Sequence, residues 1–303
     1  MSSVAIHFAS GAAFFSGAFA LMIGAVVITS GRRSVTRAAG RLLMLLGIFA
    51  IAISATPLPL WGYILWILSL CAWLCCRLPR YAVRSKAQIA AIAGLGCCTL
   101  IVLVWELSYQ VAPMPISGNW NRLVVVGDSL SAAEFTEGGD PWPTLLAREH
   151  PVHVDNLAFN GAMAGSAERK LRGEDLAGAL VILEIGGNDL FGATPADQFA
   201  ADLERLLQKV CRPDNSVLML ELPLPPLYNR YGEIQRRLAR KYAVPLVPKR
   251  FFAQVLAGSN STVDGLHLGP AGHRKMANMV WHFVGPGLAI SRVTEQQGAK
   301  SKP

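Results

Sequence analysis

The run Leu123-Val124-Val125-Val126-Gly127-Asp128-Ser129-Leu130-Ser131 decides the fold. Apolar, mostly β-branched residues that stop at a glycine read as a buried strand followed by a tight turn. In an open α/β fold such a turn lies at the carboxyl edge of the sheet, where these folds hold ligands. It would lift the Ser129 hydroxyl to that edge. A serine there is a nucleophile only with a base beside it and donors for an oxyanion opposite.

Downstream, the pattern repeats. Val152 to Leu157, Ala179 to Ile185, Ser216 to Leu222 and Val244 to Val247 read as four further strands. Between them, Pro143 to Glu149 suits a short helix, with Trp142 packing on the core. Phe199, Leu203, Leu206, Leu207 and Val210 fall at helical spacing. Leu227 to Tyr242 reads as a basic amphipathic helix whose Arg236, Arg237, Arg240 and Lys241 form a solvated face. Pro270 to Val284 opens with Gly-Pro, a good helix start. Strands alternating with helices imply a parallel sheet covered on both faces. The polar domain is expected over 122–285, after a Pro/Gly linker at 112–121, and residues 286–303 are expected to be disordered.

Three candidate groups fall where a strand runs out: Ser129, Gly161 and Asn188. At one edge of a parallel sheet, the N–H groups of Ser129 and Gly161 and the Asn188 amide can form a three-donor oxyanion hole. Gly161 suits the role because a missing Cβ lets a substrate oxygen approach the main chain. The base is expected in Asp264-Gly265-Leu266-His267. There Asp264 can accept from Nδ1 and leave Nε2 free to take the Ser129 proton. A metal held by Asp264, His267 and His273 is the weaker alternative, since further ligands are missing. Asp128 and Asp189 are expected to hold loops, while Glu134 and Glu184 receive no role.

The first third of the chain differs in kind. The chain has 303 residues, a mean hydropathy of +0.37 and a formal charge of +8, and residues 1–111 carry eight basic residues and one acid, Glu106. Apolar runs at 4–30, 42–60, 58–76 and 87–109 are each long enough to be read as membrane spans. The clusters Arg32–Arg41 and Arg77–Lys86 separate runs one and two and runs three and four. Both should stay cytoplasmic, which places the polar domain on the periplasmic or extracellular side. The basic charge is thus a topology signal and not a nucleic-acid footprint. Gly11, Gly17, Gly24, Gly94 and Gly96 offer places for close helix packing. Five of the six cysteines lie in these apolar runs, as packing residues without metal-binding company.

The polar domain resembles the GDSL/SGNH hydrolase superfamily, nearest in pattern to its bacterial thioesterase/lysophospholipase branch. Val125-Val126-Gly127-Asp128-Ser129-Leu130-Ser131 is similar to the first family block, Asn156 to Gly161 to the second, Gly186-Gly187-Asn188-Asp189 to the third and Asp264 to His267 to the last. The resemblance implies a three-layer α/β/α, flavodoxin-like fold, with Ser129, His267 and Asp264 as triad and Gly161 and Asn188 as oxyanion donors. It implies a membrane-anchored esterase acting on an acyl ester, whether lipid, thioester or acetylated glycan, with no cofactor or metal required. Ala162-Met163 stands where that branch often carries Asp-Thr, so the pocket wall differs. Transfer of the acyl group to a cell-surface glycan, and a silent module that binds an acylated polymer, are the two alternatives.

Overall fold

The structure, a computed structural model, describes residues 2–31, 33–77, 85–116, 118, 120–132, 139–258 and 260–300; of residues 85 and 289–300 it describes the backbone alone. Arg32, Arg80 and Arg84 of the basic clusters, and Glu134, lie outside the described residues. The chain forms two compact units, one of residues 1–6, 112–223 and 230–303 and the other of residues 7–111 and 224–229.

The first unit is built on five parallel strands: β1 (Arg122–Gly127), β2 (His153–Asn156), β3 (Ala179–Glu184), β4 (Ser216–Leu220) and β5 (Leu246–Val247). They lie in the order β2-β1-β3-β4-β5. β1 and β3 are buried almost throughout, as strands covered on both faces must be. The order reverses direction between β1 and β3, and an open α/β sheet binds ligands at such a switch point. The register sets Gly127 opposite Glu184 there.

Helices flank the sheet. α6 (Trp142–Glu149), α11 (Lys249–Val255) and α12 (Pro270–Lys300) pack together. α7 (Ala164–Lys170), the short α8 (Gly187–Phe191), α9 (Ala196–Val210) and α10 (Asn229–Lys241) complete the set. α7 packs on α9, and the Phe199 ring of α9 lies 5.3 Å from the Tyr231 ring of α10. Trp142 is fully buried, as its apolar bulk next to the first helix predicts.

Three sequence expectations need correction. Arg236 does not belong to a solvated face: it is buried and its Nε lies 2.6 Å from Glu221 Oε1, with Lys249 Nζ 3.8 Å from the same oxygen. Periodicity marks an arginine as outward, but a buried acid at the end of a neighbouring strand draws it in, since a buried charge needs a partner. α12 does not stop at Val284 with a disordered tail after it. It runs to Lys300 through Pro286, with Leu288 buried beyond the proline.

The third correction concerns the apolar unit, which among the described residues has three helices of membrane-spanning length, where four spans are expected. The long ones are α2 (Ala12–Ser30), α3 (Ser34–Ile53) and α5 (Ser85–Ser108); α4 (Leu60–Cys75) has 16 residues. At 1.5 Å per residue α4 is about 24 Å long, short of a hydrocarbon core of about 30 Å. The expected first span is divided, because Gly11 at φ +83° ends α1 (Ser3–Ala9) and starts α2. Phe14, Leu21, Met44, Trp73 and Leu95 form the buried centre of this unit.

Candidate active site

The turn after β1 carries Ser129, which is half-buried, between the buried Asp128 and Leu130. Asp128 Oδ1 accepts the Leu130 N–H at 3.0 Å, which closes the turn through the side chain. A second loop is tied to it. Phe159 N–H donates to Gly127 O (3.2 Å), and Asn156 Nδ2 donates to Ser131 O (2.8 Å). That loop ends at Gly161, whose φ of +70° favours glycine and whose missing Cβ would meet nothing within 4 Å.

The turn after β3 supplies the third group. Gly186, at φ +113°, is crowded by Leu222 and Phe199, and Asn188 follows in the first turn of α8. Asn188 Nδ2 donates to Ala162 O at 3.2 Å, so its amide reaches the loop of Gly161. Asp189 Oδ2 accepts the Ala164 N–H at 2.8 Å and fastens this turn to the start of α7. Burial pushes the Asp189 carboxyl upward despite that bond.

The last loop is narrow. Thr262 pairs with Leu268 across an antiparallel bridge, and Gly265 turns the chain at φ +91°. Asp264 accepts three bonds there: Oδ1 from the N–H of Leu266 (2.9 Å) and of His267 (2.7 Å), and Oδ2 from His267 Nδ1 (2.6 Å). The imidazole bond first, and the two backbone N–H groups next, hold the Asp264 carboxyl well below the usual carboxylate range. A carboxylate accepts only, so the proton of a neutral His267 sits on Nδ1 and Nε2 is left as the acceptor. His267 also favours the charged form of Asp128, which links this loop to the β1 turn.

Ser129, Gly161 and Asn188 thus sit on three loops at the carboxyl edge of one sheet, and a fourth loop, between α11 and α12, carries Asp264 and His267. His273 joins none of them: it is buried in α12 and its Nδ1 accepts the Trp142 N–H at 3.3 Å. What the sequence reading missed lies beneath the serine. Glu184, fully buried, accepts from Ser131 Oγ (2.8 Å) and from the Asp128 N–H (3.3 Å), and Trp142 Nε1 donates to Ser131 Oγ at 3.0 Å. The signal was an acid in the otherwise apolar run of β3.

Comparison with known proteins identifies the family of this chain. The model of the GDSL-like Lipase/Acylhydrolase family matches residues 125–275. Esterase TesA of Pseudomonas aeruginosa is 32% identical over 209 residues, 64% of this chain and 96% of its own length. Thioesterase 1/protease 1/lysophospholipase L1 of Escherichia coli is 28% identical over 156 residues, 48% of this chain and 75% of its own. A crystal structure of TesA aligns at 27% identity and a TM-score of 0.48, covering 55% of this chain and 98% of that one. The fold and these relatives define a hydrolase acting on ester bonds. The chain belongs to the GDSL-like lipase/acylhydrolase family.

Proposed function

We propose that this chain is a membrane-anchored serine esterase in which Ser129 attacks an acyl ester carbonyl. His267 Nε2 takes the serine proton and returns it to the leaving alcohol or thiol. Asp264 holds the ring and stabilises the imidazolium as it forms. The N–H groups of Ser129 and Gly161 and the Asn188 amide meet the oxyanion. Water then enters on the same His267 and releases the acid.

The observation that carries this reading is the three-bond seat of Asp264 against His267. A carboxylate fixed that firmly orients the imidazole and sets Nδ1 as the donor and Nε2 as the acceptor, which a binding module does not need. Ala162-Met163 beside Gly161 keeps the acyl group open among lipid, thioester and acetylated glycan.

α2, α3 and α5 are the anchor, in contact with membrane lipid. The basic clusters that follow α2 and precede α5 both stay cytoplasmic only if the shorter α4 also crosses, with the bilayer thinned around it, and four crossings then put the hydrolase unit on the periplasmic or extracellular face. A C-terminal reporter that works only in the cytoplasm should stay silent; a working one overturns this orientation.

Hydrolysis of short- and long-chain p-nitrophenyl esters by the full chain in detergent, beside Ser129→Ala, tests the chemistry. The variant should lose about 10⁴-fold or more in kcat. Turnover that survives the substitution sinks the serine mechanism. Turnover that appears only with a glycan acceptor moves the reading to acyl transfer.

A further inference from the structure

Two acids meet under the nucleophile turn. Asp128 and Glu184 are both buried, and the Asp128 N–H lies 3.3 Å from Glu184 Oε2, so the two carboxyl groups are neighbours. Two neighbouring buried carboxylates repel and can only accept, so a proton on one of them removes the repulsion and supplies a donor. The donors around the pair say which. The Trp142 indole N–H can only donate, so Ser131 Oγ accepts it and passes its own proton to Glu184 Oε2. The Asp128 N–H points at the same oxygen. Oε2 therefore has the environment of a carbonyl oxygen, while Oε1 accepts nothing from the described residues, as suits the oxygen that bears the proton.

Asp128 has the opposite surroundings. Its Oδ1 accepts the Leu130 N–H, and His267 faces it as a potential cation, although Asp189 opposes its charge. We propose that Glu184 is a positioning residue of this site: its buried carboxylic acid keeps its proton at neutral pH and donates it to the Asp128 carboxylate, which fixes the turn that presents Ser129. The direction of the titrations agrees. Burial, and then the Asp128 charge, push Glu184 well above the usual carboxylate range, while Asp128 is pushed up only to about 6.

The pair reaches both oxyanion turns. A Cβ on Gly127 would stand 2.9 Å from Glu184 Oε2, and one on Gly187 would stand 3.0 Å from Asp128 Oδ2. Two glycines thus let one carboxyl pair lie against the Ser129 turn and the Asn188 turn together. A single proton sets the spacing between them. Without it two buried negative charges would repel, and the turns would part.

The proposal rests on the esterase reading, and its decisive measurement does not need turnover. Infrared difference spectra of the full chain in detergent, wild type minus Glu184→Gln, should show the carbonyl stretch of a protonated carboxylic acid persisting from pH 6 to pH 8. Its absence at pH 7 overturns the proposal even if Ser129→Ala abolishes activity. Glutamine keeps a donating group and an accepting carbonyl oxygen, as the protonated acid has, so Glu184→Gln should keep kcat close to wild type. Glu184→Ala should lower kcat about 10²-fold with KM little changed, as displacement of a reacting group by an ångström can do. A glutamine variant as damaged as the alanine one overturns the donor role.

Discussion

Glycine and buried acid are used in opposite ways in the two units. In α2 and α3, a Cβ on Gly17 would stand 2.8 Å from Gly47 O, and one on Gly24 would stand 2.7 Å from Gly40 O. Glycine meets glycine, and the result is backbone contact between helices. The one acid of that unit, Glu106, is buried and accepts at 3.1 Å from Nε2 of Gln110, just past the end of its own helix. Around β1 and β3, glycine instead leaves room for side-chain oxygens, and at Gly161 it leaves open space. The acids there cluster: Asp128, Glu184 and Asp189 all lie buried at one sheet edge. Uniform packing suits the proposed anchor. Concentrated, costly polar groups mark a site, because burial without partners is unfavourable.

The largest effect that sharpens this contrast should come from Asn188→Ala. It removes one proposed oxyanion donor and a bond to Ala162 O, and kcat should fall about 10²- to 10³-fold with little change in KM. The same substitution should leave the helices of the apolar unit untouched, as read by their amide hydrogen exchange. A loss confined to KM would show that Asn188 binds the ground state only.

Much of this edge was legible because local chemistry declares it. Gly127-Asp128-Ser129, Gly161, Gly186-Gly187-Asn188 and Asp264-Gly265-Leu266-His267 each stand at a strand end or a tight turn, and a parallel sheet collects its strand ends on one side. Helical periodicity likewise marked α9, and Gly269-Pro270 marked the start of α12. Pairings across long sequence distance were not legible. Glu184 finds Ser131 across 53 positions, and Arg236 finds Glu221 from another element. Periodicity assigns a charged residue to the surface; only the fold brings it a buried partner. α4 and the divided first helix were misjudged for a different reason, since hydropathy marks apolar runs but not where a helix starts or stops within one, as at Gly11.

Next in size is a pH effect carried by the carboxyl pair. Asp128 is raised from its usual range to about 6, by burial before any other cause and despite the Leu130 N–H, Glu184 and His267. An acid with a raised folded value stabilises fully below its unfolded value near 3.8, and that contribution is lost as pH rises through about 6. Glu221 works in the other direction: burial opposes its charge, but Lys249 and Arg236 hold it below its usual value. The clean quantity is therefore the difference between wild type and Asp128→Asn. In urea unfolding of the full chain it should be most favourable to wild type at pH 4 and shrink by about 2 kcal/mol by pH 7. A difference that stays flat across that window means the pair does not titrate as described.

The smallest effect breaks the comparison from the other side. A Cβ at Gly24 would lie 2.7 Å from Gly40 O and from Met44 N, both backbone atoms that cannot rotate away. Gly24→Ala should therefore force α2 and α3 apart at a cost of about 1–3 kcal/mol, despite alanine's better helix propensity. Gly94 in α5 is the control, since a Cβ there would meet nothing within 4 Å. Gly94→Ala should stabilise by roughly 0.5–1 kcal/mol through the unfolded chain alone. Thermal unfolding in detergent, with esterase turnover per folded molecule read alongside, separates the two. Opposite signs at Gly24 and Gly94, with turnover unchanged in both, would show that glycine in this unit serves contact where helices touch and nothing where they do not. Equal signs would mean that α2 and α3 are not held by that contact, and that their packing rests on Phe14, Leu21 and Met44 instead.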